Sequence, residues 1–331
     1  MRMDKRSWII SGAVFALALA FTVFCGISIT NMTDSGKNAE NESEEIALES
    51  GETEDEADTA PSLEEPSSEE AVSEAPQSES AGSTAVTRLT QEELDTLLAN
   101  YDNTVQTYYA SGERDSENRA QSCFTFEDQF LLNGLNVRIF NDYTKHRASL
   151  TFILLYEGGY TEKLLDELSE LSVKATFFIC QNYAASYPDI INRMISEGHV
   201  IGSVGASNAE GGLANYGLID QMNDIANFDD FMMANYNYKM NLFYPAYDTV
   251  SICQAAMVEK MGYTYCLYSA NYMDYDATSV IDTEAFREAM TGKAHNGVIY
   301  SFHTCNSASI DIIPGLINDL QAQEYEIVLI D

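Results

Sequence analysis

The chain predicts an α/β fold built on parallel strands, and three observations support that reading. The stretch from Ser149 to Cys180 runs as an apolar segment, a Tyr-Glu-Gly-Gly turn, an amphipathic segment and a second apolar run rich in β-formers. Strand, loop, helix and strand in that order place two parallel strands side by side under a covering helix. Within the middle segment Leu164, Leu165, Leu168 and Leu171 recur at helical spacing, while Glu162, Lys163, Asp166 and Glu167 take the opposite face. The same alternation then continues to Asp331, over a length ordinary for one domain.

Residues 174–180, 200–203, 240–244, 264–268, 298–303 and 326–330 read as the later strands. Helices are expected over 188–196, 218–234, 251–261, 283–290 and 310–323. Upstream, Thr90-Gln91-Glu92-Glu93 is a capping box, with Leu94, Leu97, Leu98, Tyr101, Val105 and Tyr108 on one face behind it. That pattern predicts a helix to about Ala110. Gly112 breaks it, and residues 134–140 read as a strand. Residues 86–147 are therefore expected to form an N-terminal extension packed beside the main domain of 148–331.

At the start of the chain Arg2, Lys5 and Arg6 precede an apolar run from Trp8 to about Ile29. A run of this length spans a bilayer, and the preceding positive charge keeps the N-terminus cytoplasmic. The residues after it, Ser28 to Asn31, make a poor signal-cleavage site, and Phe24 before Cys25 argues against a lipoprotein. The expectation is a cytoplasmic tail at 1–7, a single transmembrane anchor at 8–30 in the cell membrane, and an extracellular C-terminal domain. Residues 31–85 carry about seventeen acids against Lys37 alone and no aromatic residue, the composition of a disordered linker with a reach of roughly 40 Å.

The formal net charge is −35. From Val86 onward about 34 acids still face 13 Lys and Arg, so nucleic acid is excluded as a partner while a neutral or cationic glycan is compatible. Apart from Cys25 there are Cys123, Cys180, Cys253, Cys266 and Cys305, an odd set without metal-ligand spacing, in which Cys253 with Cys266 is a candidate bridge. His146, His199, His295 and His303 include no pair at i, i+3 or i, i+4, and no zinc motif is visible.

Thr151-Phe152 at a strand end, the loop Tyr156-Glu157-Gly158-Gly159-Tyr160-Thr161, Lys174-Ala175-Thr176-Phe177-Phe178 and Glu197-Gly198-His199-Val200-Ile201-Gly202 follow one another without a gap. In these phrases the chain resembles the polysaccharide deacetylases, the NodB homology domain, and most of all their branch acting on bacterial cell-wall glycan. The resemblance covers 148–331 and implies a distorted (β/α) barrel of about seven strands, with the site at the C-terminal strand ends. It also implies a hydrolase of N-acetyl groups that holds a divalent metal with one Asp and two His, a second Asp acting as base. Here the two Asp positions are Ile153 and Leu154, and the two His positions are Val204 and Asn208. The loop that brings the family's supporting Arg corresponds to Tyr244-Pro245-Ala246-Tyr247-Asp248, without the Arg. Asp274-Tyr275 and Ile299-Tyr300-Ser301-Phe302-His303 match the family's two distal phrases, the second bearing its general-acid His.

The expectation is thus a catalytically degenerate deacetylase, a pseudoenzyme with no metal and no cofactor, anchored in the membrane and binding or scaffolding cell-wall glycan. His303 and Asp274 remain as catalytic remnants, and Tyr156, Glu157, Tyr244 and Tyr247 are the substrate-binding candidates, aromatic faces being suited to sugar rings. Tyr272 and Tyr275 are expected near the same mouth. Two alternatives stand beside this. In one, Asp274, His303 and Glu157 hydrolyse N-acetyl groups by an altered arrangement; in the other, the chain is a regulatory partner of another wall enzyme.

Overall fold

A computed structural model describes residues 86–330. Its central strand is Arg147–Leu154, whose residues 148–154 are all buried. A strand apolar on both faces suits the middle of a parallel sheet covered on each side. In chain order the strands are β1 (Gln106–Thr107), β2 (Arg147–Leu154), β3 (Thr176–Ile179), β4 (Val200–Ser203), β5 (Leu242–Phe243), β6 (Thr249–Val250), β7 (Thr264–Tyr265), β8 (Ala270–Asn271), β9 (Val298–His303) and β10 (Glu326–Ile327). Seven parallel strands form an open half-barrel in the order β7-β5-β4-β3-β2-β9-β8, and β10 pairs with the start of β2.

The helices are α1 (Gln91–Asn100), α2 (Gln121–Leu132), α3 (Thr161–Glu170), α4 (Gln181–Ser186), α5 (Pro188–Ser196), α6 (Leu218–Tyr236), α7 (Ile252–Lys260), α8 (Thr283–Thr291), α9 (Ser307–Asp311) and α10 (Ile313–Ala322). Register decides which side chains enter the barrel. Ile153 lies opposite both Phe178 and His303, and Thr151 lies opposite Thr176 and Ser301. These residues share the inner face. Phe152 and its register partners Phe177 and Phe302 face the helices, stacked at 5.4 and 5.6 Å.

The expected helix after Thr90 begins as read, with the Thr90–Glu93 capping box formed in both directions. It stops ten residues early, at Asn100, because Tyr101 is extended and the Asp102 carboxylate accepts from the Thr104 amide at 2.8 Å, turning the chain. The chain then runs as β1, antiparallel to β6. Residues 134–140 do not form a strand; Arg138 alone bridges to Cys266, between the Tyr265 carbonyl and the Leu267 amide. The expected helix over 310–323 is two, α9 and α10, with Pro314 in the first turn of the second. Cys253 and Cys266 do not form a bridge: all five cysteines among the described residues are free and buried.

The extension is built into the main core. Leu94, Leu97, Tyr108, Cys123, Phe130 and Ile139 belong to the same buried cluster as β2, β3 and β9. No helix among the described residues is long and apolar enough to cross a membrane. The expected anchor at 8–30 and linker at 31–85 lie outside the described residues.

Candidate functional site

β9 delivers His303 to the mouth of the half-barrel, and the loop after β8 brings Asp274 beneath it. The buried Asp274 carboxylate accepts from the His303 ring at Nδ1 (2.8 Å), from the His303 backbone amide (2.9 Å) and from the Ser309 hydroxyl (2.8 Å). With Nδ1 held by the carboxylate, Nε2 is the ring nitrogen left to meet a ligand. Burial opposes charge on this imidazole, but the hydrogen bond and charge of Asp274, with Asp248 adding to them, outweigh it and raise its pKa above the ordinary histidine value. The pair expected from the sequence is therefore assembled.

A second carboxylate, which sequence reasoning passed over, faces His303 from the loop after β5. Asp248 accepts from the Tyr244 hydroxyl at 2.5 Å and from the Tyr268 hydroxyl at 3.1 Å. Its pKa is raised, because burial outweighs the two tyrosine hydrogen bonds and the charge of His303. The loop that holds it is strained: Tyr247 and Asp248 have φ of 62° and 54°, left-handed values at two successive non-glycine residues. The extension fastens this loop, since the Tyr108 amide donates to the Asp248 carbonyl at 2.8 Å and the Tyr108 hydroxyl donates to the Tyr268 carbonyl. The signal in the sequence was positional. Asp248 stands where the resembled family has the glycine of its Arg-Pro-Pro-x-Gly loop, and aspartate is among the few residues that tolerate such a backbone.

The remaining positions of the expected metal centre are apolar. Leu154 and Val204 are 0% and 1% exposed, and Ile153 is 4% exposed beside His303. The loop after β4 that would bring two imidazoles is tied to α6 instead, by Asp224, which accepts from the Ser207 amide at 3.1 Å. Gly205 permits this with φ of 106°, since a Cβ there would lie 2.3 Å from the Asp224 carboxylate. Asn208 is exposed. Hydrocarbon side chains donate nothing to a divalent ion, so the residues present do not fit the metal. Among the described residues no group of three His, Cys, Asp or Glu is placed to hold one.

The polysaccharide deacetylase family model matches residues 141–266. The chain carries a polysaccharide deacetylase domain. It is 28% identical over 182 residues to the peptidoglycan-N-acetylmuramic acid deacetylase PdaA of Bacillus subtilis, covering 55% of this chain and 69% of that protein. The solved structure of Bacillus subtilis PdaA, a family 4 carbohydrate esterase, shares the fold with a TM-score of 0.63 at 21% identity, over 70% of this chain and 97% of that one. A family 4 pseudoenzyme of Bacillus anthracis, BA3943, shares it at a TM-score of 0.51 and 16% identity, over 58% of this chain and 66% of that one.

Around the deacetylase domain's mouth the candidate binding residues separate into two groups. Tyr156, Tyr247 and Tyr275 are about half exposed, and Tyr275 meets the His303 ring edge-on at 6.1 Å. A hydrogen bond to Cys305, with burial and the nearby Asp276 and Tyr247, pushes the Tyr156 hydroxyl up to about 12, so it stays a phenol. Tyr244, by contrast, is buried as a donor to Asp248. Tyr272 stacks on Phe286 of α8 at 4.0 Å, away from the mouth. Glu157 caps α3: its carboxylate accepts from the amides of Gly159, Tyr160 and Thr161 and from the hydroxyls of Thr161 and Tyr183. Gly158 lets this loop reach the strand end beside His303, for a Cβ there would sit 2.7 Å from the Thr304 carbonyl.

Proposed function

We propose that this chain binds N-acetylated cell-wall glycan through a polysaccharide deacetylase domain that has lost metal-dependent hydrolysis, held at the outer face of the membrane by residues 8–30. One observation carries the reading: the positions that would supply the base and the metal ligands are the buried hydrocarbon side chains of Ile153, Leu154 and Val204 with the exposed amide of Asn208. The loss of a single ligand weakens a metal site; the loss of three removes it. The glycan class is supported by the Bacillus subtilis relative, whose name places its action on peptidoglycan. The three half-exposed tyrosines around His303 supply faces that suit a sugar ring. Co-sedimentation of the full chain with purified peptidoglycan tests this: retention of the protein with the wall is expected, and recovery of all of it in the supernatant would refute it.

A second reading rests on the assembled His303–Asp274 pair. If His303 alone supplied acid–base chemistry to an N-acetyl group, proton transfer would give about 10²- to 10⁴-fold acceleration. Any acetate release by the full chain would then vanish in His303→Ala.

A further inference from the structure

We infer that Tyr108 and Tyr268 are positioning residues for the glycan-binding face of Tyr247, and that residues 102–108 of the extension are a strap holding the 244–250 loop in the shape that presents this face. This rests on the proposed glycan-binding function and states how that same site is kept in form.

Tyr247 is bulky, yet it has φ of 62° and ψ of 16°, and Asp248 follows it with φ of 54°. A glycine at this position would carry no such strain. A large side chain keeps a left-handed backbone only where its surroundings over-determine it, and such strain gathers at ligand clamps. What tyrosine adds here is a ring 47% exposed, close to Tyr156 across the mouth. An exposed ring contributes little to the core, so the strain is spent on where the ring points.

The surroundings that fix this backbone come from the extension. The turn at Asp102 ends α1 and sends the chain antiparallel along residues 248–253. The Cys253 amide donates to the Asp102 carbonyl at 3.0 Å, and the Ser251 hydroxyl donates to the Asn103 side-chain carbonyl at 3.2 Å. Gln106 and Thr107 pair with Val250 and Thr249, and the Tyr108 amide donates to the Asp248 carbonyl at 2.8 Å. The Tyr108 hydroxyl then holds Tyr268 by its carbonyl, and the Tyr268 hydroxyl donates to the Asp248 carboxylate at 3.1 Å. Both ends of the strained Asp248, backbone and side chain, are thus reached through Tyr108. Tyr244 gives the Asp248 carboxylate its other hydrogen bond from within the loop. On the far side the loop after β4 packs against the same turn, for a Cβ at Gly212 would lie 2.8 Å from the Ala246 carbonyl. Loosening the strap lets residues 247 and 248 relax toward ordinary φ and turns the Tyr247 ring from the mouth, while β5 and α7 on either side of the loop stay in place.

The test is a double-mutant cycle on the full chain, with affinity for purified peptidoglycan read from co-sedimentation over a range of protein concentrations. Tyr268→Phe and Tyr108→Phe each keep the ring and remove one hydroxyl of the relay. Each is expected to weaken binding about two- to tenfold, the scale of one net hydrogen bond. Combined with Tyr247→Ala, neither should weaken it further, because both act through that ring. A merely structural role would make the losses multiply. Multiplying losses, parent-like binding by both Phe variants, or parent-like binding by Tyr247→Ala would each overturn this inference and leave the proposed glycan binding standing. Absence of the parent from the peptidoglycan pellet would overturn both.

Amide exchange in the unaltered chain gives a check that needs no variant to fold. With solubilised peptidoglycan at ten times its dissociation constant, exchange of the Tyr108 amide should slow about tenfold, since the ligand binds the strapped loop. The Leu94 amide, bonded to Thr90 in the first turn of α1, opens without the loop and should exchange as before. Unchanged exchange at Tyr108 would overturn the inference.

Discussion

Asp274 holds His303 from two directions, accepting from the ring at 2.8 Å and from the same residue's backbone amide at 2.9 Å. The orientation of the imidazole is thereby set by a side chain with no exposed surface, in a site whose positions 153, 154 and 204 are buried hydrocarbon side chains.

This pairing makes stability depend on pH. The His303 pKa is higher in the folded chain than its ordinary 6.5, so the pair's contribution is complete below about pH 6.5 and fades as the pH rises through the folded value. Denaturant unfolding of Asp274→Asn should lack that dependence, and the His303 titration followed by NMR should move down. Asp274→Ala is expected to cost about 3–5 kcal/mol, the range for breaking a buried pair. An unshifted His303 titration in Asp274→Asn would contradict the assignment.

Glu157 illustrates the opposite sign. Its carboxyl is buried in part, yet hydrogen bonds from Thr161, Tyr183 and the loop amides lower its pKa, so its stabilisation is present above the ordinary value of about 4.3 and is lost as the pH falls through the folded one. Glu157→Gln should cost about 1–3 kcal/mol in thermal or denaturant unfolding. Glycan binding at neutral pH should be unaffected, since the carboxylate is spent on the N-terminus of α3. A loss of affinity without a loss of stability would reassign Glu157 to the ligand.

Tyr247 and Tyr156 are exposed enough to be removed without opening the core. Each substitution to Ala should leave the melting temperature nearly unchanged and weaken glycan binding by about three- to tenfold, the scale of one aromatic contact. Tyr244→Phe is a different experiment. It removes a buried donor from Asp248 and should lower stability.

Rebuilding the donor set tests the account of its loss. A chain carrying Ile153→Asp, Leu154→Asp, Val204→His and Asn208→His should unfold more readily by roughly 3–5 kcal/mol without metal, because charge is buried where hydrocarbon now packs. Zn²⁺ should recover that stability in the rebuilt chain and leave the parent's melting curve unmoved.

The fold was readable where local and global signals agreed. Pro188 opens α5, a strongly amphipathic helix, and the strands at 200–203 and 298–303 run over the residues expected. Reading failed where a turn was hidden inside continued apolar spacing. Tyr101, Val105 and Tyr108 extend the stripe of α1, while the Asp102 turn sends them into a loop and β1. α2 was invisible because Ala120 caps it without any side-chain hydrogen bond. In the site, Asp274 and His303 were found because each sits in a recognisable phrase. Asp248 was not, since its role comes from Tyr268 twenty residues on, from the Tyr108 amide 140 residues before, and from His303 on another strand. Such convergence is a property of the folded chain.

The most direct test of the central claim is acetate release by the full chain from N-acetylated wall glycan, measured with added Zn²⁺ or Co²⁺ and again with chelator. The account predicts no metal-dependent release alongside retention of the protein on the glycan. Release that appears with metal and disappears with chelator would contradict it, and would mean that donors other than those at 153, 154, 204 and 208 hold an ion in this domain.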